Sequence, residues 1–297
     1  PTDNGAQAAN INSVQFLPVR SLADAVQILQ GKKQAKPLSP SRYRGKINPP
    51  PQVDVKGQQT AKRALTIAAA GSHHILLLGP PGVGKTLLAR TAGTILPPMT
   101  KQEAVEVTTI YSAAGIESHN LIDTRPVRMP HHSSSRAALI GGGREVRPGE
   151  ISLAHHGILI LDELPEFNAD VLQALREPLE QKHVHISRAG HNVTFPADCW
   201  VIATANPCPC GFFGSSIQEC RCSSHELARY RRKLRGPLLD RFDIFCQLDA
   251  VSAADLADHE SNQWYAVSPT IEHIKKLPRD ITLDSAAGQM LSAAQDR

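Results

Sequence analysis

Long hydrophobic runs are missing from this sequence. The stretches that come nearest, Ile75–Leu78 and Ile158–Leu161, fall far short of the roughly 20 apolar residues that a bilayer-crossing helix needs. Both predict buried strands, and neither supports a membrane span. The basic, apolar and small-residue succession of a secretory signal is also lacking at the start, so a cytoplasmic location without a membrane partner is the expectation. Charge of one sign does not dominate: 32 Lys and Arg against 28 Asp and Glu leave a net charge of +4. That surplus alone identifies no polyanion binder, whose basic residues should cluster on one face. The densest cluster is Arg229, Arg231, Arg232, Lys233 and Arg235; a solvated helix face or subunit contact and a polyanion surface both fit it. No internal repeat or low-complexity tract occurs. The 13 histidines contain no H-E-x-x-H spacing, which argues against a zincin-type metalloprotease.

What the sequence does have is a hydrophobic content of 41% over 297 residues, enough for one large α/β domain and a smaller one. Residues 1–35 hold a short helical pattern, Val19–Leu29, with Ser21 placed to cap it. Residues 36–52 are rich in Lys, Pro, Ser and Arg and read as a linker. From 53 to 249 strands and helices alternate: helix Gly57–Ala70, strand His74–Leu78, helix Lys85–Ile95, strand Ala104–Thr109, a long Gly-, His- and Ser-rich stretch, strand Gly157–Leu161, helix Asn168–Gln181, a hairpin across His183–Phe195, and strand Trp200–Thr204. Such alternation predicts a parallel sheet with helices on both faces. Residues 250–297 read as helical only, a partial lid domain with a helix at Ser285–Ala294.

Gly79-Pro80-Pro81-Gly82-Val83-Gly84-Lys85-Thr86 satisfies G-x-x-x-x-G-K-[ST] with an apolar strand before it and a helix after it. Glycines let the backbone curl so that its N–H groups face phosphates, at the positive end of a helix. Lys85 is then the residue to reach the β- and γ-phosphates of ATP, and the Thr86 hydroxyl is a ligand for Mg²⁺. Asp162-Glu163 closes the second apolar strand, at the end of the sheet where ligands of open α/β folds bind. Asp162 suits the magnesium and Glu163 the role of general base on the attacking water, both facing the loop from an adjacent strand. Asn206, just after the strand Trp200–Thr204, would position that water or touch the γ-phosphate; a plain turn residue before Pro207 is its alternative. Arg241, in Leu-Leu-Asp-Arg-Phe-Asp, is a candidate arginine finger for a neighbour's nucleotide, against an ordinary Arg–Asp surface pair.

These motifs occur in the order of AAA+ proteins. Pro130-His131-His132-Ser133, Gly141-Gly142-Gly143 and Pro148-Gly149-Glu150-Ile151-Ser152-Leu153-Ala154-His155, running into GILILDELPEF, resemble the magnesium-chelatase-like branch, and within it the ComM/YifB family, from about Val55 to Asp249. The resemblance implies a P-loop AAA+ three-layer sandwich, a hexameric ring, and an ATP-hydrolysing motor acting on DNA as a branch-migration helicase. It also implies that 1–35 is the remnant of an N-terminal domain of Lon-protease-like fold, that Gly141–Glu150 faces a central pore with His131 and His132 nearby, and that the arginine usual in AAA+ lids is not represented, since neither Arg279 nor Arg297 sits in a motif. Two rivals stand beside this reading. One is the ATPase subunit of magnesium chelatase, which lacks such an N-terminal domain and fits a four-cysteine loop poorly; the other is a nucleotide-gated binding module with little turnover.

Of six cysteines, four form Cys208-x-Cys210-x₉-Cys220-x-Cys222. Two pairs closing one loop fit a tetrahedral zinc site, although C-x-C is tighter than the usual C-x₂₋₄-C. Free thiols and, last, disulfides are the alternatives in a reducing compartment. Cys199 and Cys246 read as core residues, and His73, His74, His155 and His156, flanking strands, as half-buried structural ones.

Overall fold

The computed structural model describes residues 16–38, 43–49, 55–116, 120–143, 145–188, 191–215, 218–234 and 238–251. The lid helix expected at Ser285–Ala294, Arg279, Arg297, Arg144 and Arg235 lie outside the described residues. In chain order the helices are α1 (Leu22–Leu29), α2 (Gln59–Gly71), α3 (Lys85–Thr91), α4 (Lys101–Ala113), α5 (Arg136–Ile140), α6 (Glu150–Leu153), α7 (Ala169–Gln181) and α8 (Ser224–Lys233). The strands are β1 (Ile75–Leu78), β2 (Val127–Arg128), β3 (Gly141–Gly142), β4 (Arg147–Pro148), β5 (Ile158–Leu161), β6 (His183–Arg188), β7 (His191–Pro196), β8 (Trp200–Ala205) and β9 (Ile244–Gln247).

A five-stranded sheet in the order β2-β5-β8-β1-β9 forms the middle layer, and its neighbours all run parallel. Side chains alternate between its faces, so each apolar strand feeds two cores. Ile75, Leu77, Ile158, Ile160 and Ile202 pack with Leu65 of α2 and with Leu88 and Ala89 of α3 on one side. On the other, Leu76, Leu159, Leu161 and Val201 pack with Leu139, Ile151 and Leu175 of α5, α6 and α7. Burial on both faces explains why these strands read as unbroken apolar runs. The hairpin is present as β6–β7, paired from His183↔Pro196 to Arg188↔His191, with Val184 and Phe195 buried. Ser21 caps α1, accepting the Asp24 N–H at 3.1 Å.

One element differs from expectation: Ala104–Thr109 is the middle of helix α4, not a strand. Its β-branched residues suggested extension, but Thr100 and Glu103 form a reciprocal capping box at the helix start. The hydroxyls of Thr108 and Thr109 turn back onto the carbonyls of Ala104 (2.6 Å) and Val105 (2.8 Å), and Ala104, Val107 and Thr108 bury one helical face. The expected helix Lys85–Ile95 tightens after Thr91 into a 3₁₀ turn over Ala92–Ile95.

Candidate functional site

Parallel strands place their C-terminal ends along one edge of the sheet, and the motif residues leave from that edge. The glycine-rich loop follows β1, Asp162-Glu163 follows β5, and Asn206 follows β8. The acid pair does not come from the strand next to β1, as the sequence suggested: β8 lies between β1 and β5 and adds its own residues, Thr204 and the following Asn206, to the same edge.

The loop turns at Gly82 (φ 82°) and Gly84 (φ 90°), a left-handed backbone that glycine adopts without strain. Lys85 opens α3 and is buried, its Nζ donating to the carbonyls of Gly79 (2.7 Å) and Pro80 (2.8 Å) and to Oδ1 of Asn206 (2.9 Å). No ion pair among the described residues includes it. Burial lowers its pKa, an effect partly offset by the charges of Asp162 and Glu163. A buried ammonium answered only by neutral oxygens favours an anionic guest. Thr86 donates to both carboxylate oxygens of Asp162 (2.9 and 3.2 Å), and Thr204 donates to Oδ1 of the same group at 2.6 Å. A carboxylate and two hydroxyls are the hard oxygen donors that magnesium selects. The residues present therefore fit ATP with Mg²⁺.

Thr204 carried no motif, yet it couples the acids: while donating to Asp162 it accepts the backbone N–H of Glu163 at 3.0 Å. Its place on a buried strand hid it. Glu163 sits at φ 54° with a half-exposed carboxylate 3.9 Å from Nδ1 of His132. The His132 ring also stands edge-on to Phe167, 6.4 Å between centroids, so this histidine belongs to the surroundings of the acid pair. Gln58, likewise unsignalled, ties the loop to the chain after β9 through the carbonyls of Val83 (3.2 Å) and Asp249 (2.8 Å). Tyr230 of α8 is buried and donates to the Asn206 carbonyl at 3.0 Å.

Arg241 is not brought to this site. It precedes β9, whose first residue pairs with the first residue of β1, Ile244↔Ile75, so it stands at the opposite end of the sheet. Its guanidinium is held by Glu180 of α7, with Nε at 2.8 Å, not by the neighbouring aspartates. In the basic run, Tyr230 points inward while Arg229, Arg231, Arg232 and Lys233 are exposed; the Arg231 guanidinium lies 4.8 Å from the Phe213 ring centroid, and Lys233 donates to the Pro165 carbonyl. Gly141–Gly142 and Arg147–Pro148 form a short antiparallel pair, and Arg147 is bonded to Glu145 at 2.7 Å.

The four motif cysteines converge, their sulfurs all within 4.8 Å of one another. Cys199 and Cys246 are buried elsewhere, in the two cores. A second cluster, Glu106 with His155 and His156, is already satisfied internally. Nδ1 of His155 accepts the Asp198 N–H at 3.1 Å, which leaves Nε2 as the protonated nitrogen facing Glu106 at 3.4 Å.

A parallel sheet flanked by helices on both faces, with a glycine-rich loop and an acid pair at one edge, defines an α/β P-loop sandwich. The family model described as magnesium chelatase, subunit ChlI, matches residues 52–256. Competence protein ComM of Haemophilus influenzae is 44% identical over 262 residues, covering 85% of this chain and 50% of that protein. YifB of Salmonella typhimurium is 46% identical over 209 residues, covering 70% of this chain and 41% of that one. The chain belongs to the magnesium-chelatase-like AAA+ family, and within it to the ComM/YifB type. It spans about half the length of the curated relatives it matches. Among solved structures, NtrX from Brucella abortus in complex with ADP overlaps it with a TM-score of 0.45 at 18% identity, over 69% of this chain and 40% of that one, too slight a likeness to carry an argument.

Proposed function

We propose that this chain is the ATP-hydrolysing module of a ring-forming motor that acts on DNA as a branch-migration helicase. The observation that carries the hydrolytic part is the bonded set Thr86–Asp162–Thr204 beside the buried Lys85. In this reading the backbone of Gly79, Pro80, Pro81, Gly82, Val83 and Gly84 wraps the phosphates, and Lys85 exchanges its carbonyl partners for phosphate oxygens. Thr86 and Asp162 hold Mg²⁺, which when bound neutralises charge developing on the phosphates. Glu163, half-exposed at the edge of the cleft, takes the proton of the attacking water, and Asn206, already within reach of Lys85, orients that water. Arg241, remote from its own loop, serves the nucleotide of a neighbouring subunit in a hexamer.

The DNA part rests on the ComM/YifB relationship. The test is ATP turnover of the full-length protein with single-stranded, duplex and four-way-junction DNA, beside a porphyrin control. Stimulation by DNA is the expected result. Stimulation by the porphyrin alone would replace the motor on DNA with a chelatase ATPase. Glu163→Gln should lower turnover at least about 100-fold while ATP binding is kept; unchanged turnover would leave a nucleotide-gated binding module. Replacing Arg144 and Arg147 together should abolish DNA stimulation if the loop they share lines the pore.

A further inference from the structure

The loop between β8 and α8 is built around sulfur. Cys208 Sγ lies 3.3 Å from Cys210 Sγ and 3.7 Å from Cys220 Sγ, and Cys210 Sγ lies 3.6 Å from Cys220 Sγ. Those separations are far beyond the roughly 2.05 Å of a disulfide bond. Four sulfurs each about 2.3 Å from one tetrahedral zinc stand about 3.8 Å from each other, and the spacing found here is close to that figure. The backbone reinforces the arrangement. The Phe213 N–H points at Cys208 Sγ (3.2 Å) and the Cys210 N–H at Cys222 Sγ (3.4 Å), contacts of the outer-shell kind that hold ligating groups in orientation. The left-handed turns at Gly211 (φ 87°) and Gly214 (φ 72°) let C-x-C pairs, tighter than the usual ligand spacing, meet across one loop. Cys222 is fixed from the other side by the reciprocal capping box of Ser223 and Glu226 that starts α8.

We propose that Cys208, Cys210, Cys220 and Cys222 hold one zinc ion in a closed four-thiolate site whose role is to brace the nucleotide loop. The bracing follows from what the sulfur loop touches. It begins two residues after Asn206, the acceptor of Lys85. At Gly211 it lies so close to Pro81 of the glycine-rich loop that an added Cβ would meet Pro81 Cδ at 2.6 Å. Its Phe213 and the preceding Pro207 share the lining of a cavity of about 310 Å³ with Leu78, Gly79 and Pro80. It ends in α8, whose Tyr230 returns to the Asn206 carbonyl. Phe213 of this loop is exposed, and a closed metal site supplies rigidity that its packing does not.

The test starts with the whole chain made in zinc-containing medium and purified under reductant without chelator. Elemental analysis should find about one zinc per chain, lost in Cys208→Ser/Cys222→Ser and kept in Cys246→Ser. Should the double variant fail to fold, the parent chain still decides. An organomercurial should release the metal in step with four thiols, and Co²⁺ exchanged for zinc should show thiolate charge-transfer bands. Zinc below about a tenth of an equivalent with no cobalt–thiolate bands would overturn the site, as would zinc retained by a folded Cys208→Ser/Cys222→Ser chain. Hydrogen exchange of segments 79–86 and 206–234, with and without zinc, reads the bracing: zinc should slow exchange in both, and an unchanged 79–86 would overturn that role. None of these readouts involves ATP turnover, so the zinc site and the motor reading fail separately.

Discussion

Thr204 carries more of the site than its ordinary side chain suggests. A single buried hydroxyl accepts from the Glu163 backbone and donates to Asp162, so it sets the angle between the two acids. Thr204→Val would keep the shape and leave the Glu163 N–H without its partner, a cost of about 1–3 kcal/mol when the group stays buried. We expect a lower denaturation midpoint and weaker Mg²⁺-dependent binding of a fluorescent ATP analogue, both restored by Thr204→Ser; equal binding by the valine variant would show that Asp162 needs no such support. Residue scale also explains why Lys85 was legible and Thr204 was not. Lysine stands in a fixed succession of neighbours, whereas threonine inside an apolar strand looks like any β-branched residue.

Among the elements, α4 shows local capping chemistry overriding strand propensity. The pattern Thr100-x-x-Glu103 satisfies two backbone donors that the first turn leaves open, and this signal in the sequence weighed more than the β-branched residues after it. Thr100→Ala should cost about 1 kcal/mol of stability and Thr100→Ser much less, read by chemical denaturation; equal losses would show that the threonine methyl, not the cap, matters there. The element carrying the site is β8. Its central position follows from pairing with β1 and β5 at once, and it delivers Thr204 to Asp162 and Asn206 to Lys85. Nothing local in Trp200–Ala205 tells which strands will flank it.

At the scale of the whole molecule, the two ends of the sheet have different tasks. At the end away from the nucleotide loop, His74 and His155 serve as acceptors for the backbone N–H groups of Val201 (3.2 Å) and Asp198 (3.1 Å). Burial lowers both pKa values from the ordinary 6.5. The unfolded chain therefore takes up protons first, and the stability these rings contribute is complete above about pH 6.5 and declines as pH falls toward their folded pKa values. The melting temperature should drop between about pH 7.5 and about pH 5, and should drop less in His74→Asn/His155→Asn, where an amide oxygen replaces Nδ1 without titrating; parallel curves would remove these histidines from the account. Arg241 stands at this same end, away from its own glycine-rich loop, and the role in trans proposed for it follows from that distance. Arg241→Ala should cut turnover by about 10³-fold or more with nucleotide binding unchanged, and mixing it with Lys85→Ala subunits should restore activity. No recovery on mixing would end the role in trans.

Much of this protein was legible along the chain, because the information was local. Alternating apolar strands and helices predicted a doubly covered parallel sheet, and the glycine-rich succession and acid pair stated their chemistry through residue type and spacing. Strand order was not legible, since pairing joins residues more than a hundred positions apart, as Ile75 with Ile202. Tertiary structure alone decided that β8 lies between β1 and β5, that Thr204 links Asp162 to Glu163, that His132 stands beside Glu163, that Arg241 is remote, and that four sulfurs meet in a loop whose Gly211 lies against Pro81. Each is a matter of distance across the sheet or between loops, which composition and spacing along one strand do not encode.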